Sequence, residues 1–189
     1  DREYLFGEID NDRDRTALFD HVIPQLASTS DDEKSLLCQA LQNVAKVSLG
    51  DDAEAWKRFW DSYKSKAYDE WLLEALTSDP SSSARERAAE ALGERSPTDA
   101  SRKALRAALD EKDPEVRIAA AVALAAFKDE AAVRPLLRAL PDDNLRWKAV
   151  RALSFFSDSD FGLSGAGPAS SSKENAASLG RWLGWAKQR

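Results

Sequence analysis

The side chains from which most enzyme sites are built are almost absent from this chain: one histidine, His21, and one cysteine, Cys38. A zinc site needs three or four clustered nitrogen, sulfur or carboxylate ligands, and a Ser-His-Asp triad would have to run through His21 alone. His21 lies in an apolar stretch between Phe19 and Val22 and reads as a structural or surface residue. Cys38, between Leu37 and Ala40, reads as a small buried hydrophobe, with no electropositive neighbour dictated by sequence to activate its thiol. A lone cysteine also excludes an internal disulfide framework. Asp and Glu pairs are abundant, but an acid pair becomes chemistry only inside a cleft that shifts its pKa. The Gly162–Gly167 stretch lacks the following Lys-Ser/Thr and the preceding strand of a phosphate loop, and the acidic run Glu111–Glu115 reads as solvated caps. The residue types therefore predict no catalytic residue, no metal site, no cofactor and no enzyme.

Any function must then rest on surfaces, which depend on the elements that present them. The 189 residues suit one ordinary domain with a core that needs no staples. The 33 acidic against 27 basic side chains, net charge −6, argue against a nucleic-acid partner, because phosphate backbones require a concentrated positive face. No apolar run approaches the roughly 20 residues that span a bilayer. The chain opens on Asp1 and has no Met, which reads as a processed or trimmed product from which any signal or anchor is gone. Apolar residues recur at helical spacing and no segment alternates like a strand, so the fold class is all-α. Asp79-Pro80 and Asp113-Pro114 each read as an N-cap acid before a proline at the first helical position. Asp31-Asp32 and Asp142-Asp143 open two further runs.

The helical runs repeat. Lys34, Arg85, Arg117 and Arg146 each stand seven positions before the leucine of an Ala-Leu pair. Three positions after each comes a small or apolar residue: Leu37, Ala88, Ala120 and Ala149. Those offsets share one helix face, and small residues there let neighbouring helices approach closely. The basic residues are spaced by 51, 32 and 29 positions, and the last two intervals suit stacked helical hairpins that cannot bury their apolar faces alone. A helix ending in leucine precedes three of these units. Two of those helices carry a proline at matching register, Pro24 and Pro135, which predicts a shared kink.

The run from Asp113 through Pro114, Arg117 and Ala120 to Leu124 resembles the second helix of HEAT repeats, especially the short bacterial HEAT-like repeats named after phycobilisome lyases. The resemblance is strong over about 79–156 and weaker over 16–48. It implies a right-handed α-solenoid of antiparallel hairpins, and a ladder of hydrogen bonds joining Asp79 with Arg85, Asp113 with Arg117, and Asp142 or Asp143 with Arg146. Lys34 departs from the pattern, since a lysine cannot form the guanidinium fork. The expected organisation is a hairpin plus Trp helix over 1–68, three hairpins in the same domain over 69–156, a Gly/Ser-rich linker over 157–172, and a Trp helix over 173–189.

The resemblance also places the second helices on an inner, concave side. One and five positions after each basic residue this gives Ser35, Glu86, Ile118 and Trp147, then Gln39, Glu90, Val122 and Arg151. Glu86, Glu90, Ile118, Val122, Trp147 and Arg151 form the candidate binding column, suited to a protein or peptide rather than a phosphate; alternatively the apolar members lie beneath another part of the chain. The Trp56–Trp60 helix and the Trp182–Trp185 helix read as caps on the ends of the stack, or, for Trp182 and Trp185, as a helix docking a partner or a lipid surface. The function implied is a non-catalytic scaffold. Its rivals are a bilin-lyase-like or chaperone-like subunit and a HEAT-like DNA-binding protein, the latter opposed by the acidic balance and by Glu86 and Glu90. The compartment stays open, with only the W-x-x-W likeness leaning towards the bacterial envelope.

Overall fold

The computed structural model describes residues 12–157 and 172–187. These residues form ten α-helices and no strand. In chain order the helices are α1 (Asp12–Val22), α2 (Asp31–Ala45), α3 (Ala53–Tyr63), α4 (Tyr68–Ser78), α5 (Ser82–Gly93), α6 (Asp99–Ala108), α7 (Pro114–Ala126), α8 (Val133–Ala139), α9 (Arg146–Leu153) and α10 (Ser172–Ala186). Short 3₁₀ turns cover Ile23–Gln25 and Glu130–Ala132. The chain forms two compact units, Asp1–Arg85 and Glu86–Arg189. The Gly/Ser-rich linker expected over 157–172 falls, from 158 to 171, outside the described residues.

The first unit is built on aromatic rings. The amphipathic spacing of Trp56, Phe59 and Trp60 puts all three on the buried face of α3. Phe19 from α1 stacks on Trp60 at 5.1 Å, and Phe59 stacks on Tyr63 at 4.5 Å. Trp71 of α4 meets Phe19 and Phe59 edge-on, both at 5.5 Å. Each indole N–H is satisfied, as burial of a polar tip requires: Trp56 donates to the Gly50 carbonyl at 2.9 Å, Trp60 to Asp20 at 2.7 Å and Trp71 to the Tyr63 carbonyl at 3.0 Å. The buried Arg15 lays its guanidinium over Trp71 and Tyr68, 4.3 and 4.4 Å from the ring centroids. The α3 tryptophans are thus core, not a docking surface.

In the second unit α7 packs against α6, α8 and α9, and α8 packs against α9. The expected small-residue stripe is the core of this arrangement: Ala88, Ala120 and Ala149 are completely buried. Gly93 shows how close the approach is, since a Cβ there would lie 2.8 Å from both Cα and Cβ of Ala123.

The basic residues of the repeat hold the turns. Arg85 donates to the carbonyls of Asp79 and Pro80 at 2.8 and 3.2 Å. Arg117 donates to those of Glu111 and Lys112, both at 2.7 Å. Arg146 donates to those of Leu140 and Pro141 at 2.8 and 3.3 Å, and also to Asp143. In every case the acceptors lie six and five residues upstream, so one guanidinium satisfies two carbonyls of the turn leading into its own helix. Lys34 instead reaches Asp31 at 3.5 Å. The carboxylates cap: Asp79, Asp113 and Asp142 accept from the N–H groups of Ser81, Glu115 and Asn144 at 2.8, 2.9 and 2.9 Å.

Two expectations about local geometry are corrected. Asp113-Pro114 is an N-cap followed by a helical proline, but Asp79 ends α4 and α5 begins at Ser82. The position equivalent to Asp113, whose carbonyl accepts the backbone N–H of the repeat's basic residue, is Ser81. Asp79 stands two residues earlier in the register. Pro24 and Pro135 do not form a shared kink. Pro24 lies in the 3₁₀ turn after α1, and Pro135 sits in the first turn of α8, where a missing N–H leaves no helical bond unmade.

Asp129 anchors the end of α7 to α6. It is buried, accepts the Ala131 N–H at 3.1 Å and pairs with Arg106 at 2.8 Å and Arg102 at 3.5 Å. Burial alone would raise its pKa, but the Ala131 N–H and the two arginines outweigh burial and hold the carboxyl below its ordinary value. Its contribution is present above the unfolded-state value of about 3.9 and lost as pH falls through the lower folded value. Asp129→Asn is expected to lower stability by about 2 kcal/mol at neutral pH. Urea melts should also show a smaller loss below about pH 4 than in the parent; an equal loss in both would exclude this residue as the source.

Candidate functional site

The inner faces of α5, α7 and α9 enclose a groove of about 340 Å³ in the second unit. Its floor is α7, where Ala119, Ala123 and Ala126 leave depth and Val122 adds an apolar rise. One wall is α5 with Glu90, and Glu94 just past the helix end. The other is a stripe at four-residue spacing along and just beyond α9: Trp147, Arg151 and Phe155. Trp147 is 50% exposed and Phe155 43% exposed. Large apolar side chains at a concave surface mark contact sites more than scattered exposed leucines do.

Lys148 closes one end of the groove. Its Nζ lies 3.0 Å from Glu86 and 3.5 Å from both Glu90 and Glu115, with the lysine side chain only 19% exposed. Burial by itself would lower the ammonium's pKa; Glu86 first, then Glu90 and Glu115, outweigh it and hold the lysine above its ordinary range. Its contribution to stability is therefore complete below the unfolded lysine value of about 10.4 and is lost as pH rises through the still higher folded value.

The structure gathers most of the sequence-derived column. Glu90, Val122, Trp147 and Arg151 line the groove, and Glu86 stands at its closed end through Lys148. Ile118 is the exception. It is 2% exposed and borders a separate cavity of about 310 Å³ with Leu109, Pro135 and Leu145, because the first turns of α7 are covered on that side. Lys148 was missed by sequence reasoning. Its signal was present as Glu86, Glu90 and Glu94 at four-residue spacing, an acidic stripe that calls for a cation from another element.

Other candidates are resolved by burial. Trp182 is fully buried and meets Trp185 edge-on at 5.4 Å, on a helix that packs against α8. As a docking anchor Trp182 is thus unavailable without moving α10; Leu183 of the same helix is exposed. Cys38 is buried, and burial chiefly, with Asp51 nearby, raises its thiol pKa. His21 is exposed. Among the described residues no His, Cys, Asp or Glu cluster could hold a metal ion, and no helix is long and apolar enough to cross a membrane.

This geometry of small-residue contacts and turn-binding arginines coincides with a known repeat. Residues 70–154 match the family model for HEAT repeats. The matched stretch contains α5 to α9 and the groove residues other than Phe155. HEAT repeats commonly mediate contacts between proteins. No curated protein matches the chain.

Proposed function

We propose that the chain is a non-catalytic interaction module whose groove between α5 and α9 receives a protein or peptide segment. In this reading the helices of the second unit stack as a right-handed solenoid, with the Trp-bearing α10 closing its end. The observation that carries it is Trp147, half exposed beside a floor of alanines. An indole supplies a large contact area at low entropic cost, and a solvent-facing indole over such a floor has no evident structural duty. The glutamates of α5 oppose a nucleic-acid partner. No described feature favours the lyase-like alternative, and the likeness to lyase-type repeats goes no further than the helix pattern.

Selection from a displayed random-peptide library is the direct test. Peptides enriched on the parent chain are expected to bind Trp147→Ala more than about tenfold more weakly, while the variant keeps its helical circular dichroism. Equal retention by the variant would dismiss the groove as the binding site.

A further inference from the structure

We infer that the segment this groove accepts is cationic and apolar: a Lys or Arg side chain set against Glu94 and Glu90, with an aliphatic neighbour on the alanine floor beside Trp147. The inference rests on the groove reading above and adds the chemistry of the occupant.

The protein already contains half of this contact. Lys148, arriving from α9, crosses to Glu86 and Glu90 of α5 and to Glu115 of α7. Three carboxylates share that one ammonium, so the cluster keeps an excess of two negative charges. One turn further, just past the end of α5, the stripe continues to Glu94, which has no ion pair among the described residues. Glu90 remains available as well, since its side chain is 46% exposed despite its bond to Lys148. A ligand cation placed one turn beyond Lys148 would meet Glu94 and Glu90. Carboxylates that outnumber the cations beside them are what a guanidinium or ammonium selects.

The rest of the groove sets the neighbouring residue. Ala119, Ala123 and Ala126 leave the floor low between Trp147 and Phe155, which fits an aliphatic side chain. Arg151, unpaired among the described residues on the opposite wall, repels a second cation there and offers a partner to a peptide carbonyl or carboxylate. Charge complementarity thereby fixes the direction of the segment as well as its composition.

The test uses the full chain and the library-selected peptides that depend on Trp147, each resynthesised with its basic residue as Lys, norleucine or Glu and measured by fluorescence anisotropy. The selected peptides should share a Lys or Arg beside an aliphatic residue, and the Lys-to-Glu exchange should weaken binding by about tenfold or more. Glu94→Lys, at an exposed position that leaves the fold alone, should weaken the Lys form about tenfold and strengthen the Glu form; Glu94→Gln should fall between. Trp147-dependent peptides that bind equally in all three forms would overturn the cationic assignment and leave the groove reading intact. Absence of any Trp147-dependent peptide would overturn both. A concentration-dependent dimer that Trp147→Ala dissolves would assign the groove to a second copy of the chain and likewise overturn the inference.

Discussion

Trp71→Ala is expected to remove about 5 kcal/mol from the first unit and to leave its aromatic core without fixed packing. Truncating a buried tryptophan costs about 3–5 kcal/mol through lost transfer energy and the cavity left behind. Trp71 adds to this because it is the common neighbour of Phe19, Phe59, Trp60, Tyr63 and Tyr68, each met edge-on within 6.0 Å. Such ring pairs contribute about 0.5–1.5 kcal/mol beyond their area. Arg15, buried over the same ring at 4.3 Å, would lose a face that partly compensates its desolvation. A domain's whole stability is about 5–15 kcal/mol, so the near-ultraviolet circular dichroism of these aromatics should collapse while the second unit's helices persist. Trp71→Phe keeps much of the volume but not the hydrogen bond to the Tyr63 carbonyl, and should cost about 1–2 kcal/mol. A Trp71→Ala variant that melts in urea like the parent would show that the unit is held together elsewhere.

Ala120→Leu carries the second large effect, by the opposite mechanism. Ala120 is wholly buried between Ala119 and Ala121 on a helix touched by α6, α8 and α9. Ala120 lines neither the groove nor the cavity beside Ile118, so three more carbons must push α7 from its neighbours. Overpacking of this kind costs about 1–3 kcal/mol, and the upper end is expected here because the same helix already approaches α5 so closely that Gly93 has no room for a Cβ. Leucine and alanine are both good helix formers, so propensity does not obscure the comparison. The internal control is Ala126→Leu, an exposed position on the same helix at the groove floor, which should change the denaturation midpoint little. Equal destabilisation at both positions would mean that helix spacing does not depend on the buried alanines.

The two units express different solutions to one problem. Where the repeat pattern is regular, in α5, α7 and α9, small residues bring helices together and arginines satisfy the turn carbonyls. At Lys34 that device is missing, and the core of the first unit is filled by large rings whose polar tips are individually bonded. Buried indoles supply more apolar area per residue than alanines do, which is how a unit with a weaker repeat still builds a core.

The all-helical fold, the small-residue stripe and the departure at Lys34 were legible in the residues, because each depends on spacing within one helix or on a turn a few residues away. The misplaced cap at Asp79 was legible too, since it stands six residues before Arg85 whereas Asp113 stands four before Arg117. What the chain could not disclose locally was which apolar positions stay open to solvent. Ile118 and Val122 are one helical turn apart on α7, yet one is covered and the other lines the groove, because that outcome belongs to the neighbouring elements. The same holds for Trp147 and Trp182, alike in type and opposite in exposure. Lys148 finds Glu86 and Glu115 across 62 and 33 residues of sequence. Helical periodicity is a property of bonds between near neighbours, so sequence determined it; burial and charge pairing across helices depend on distances that only the packed chain creates.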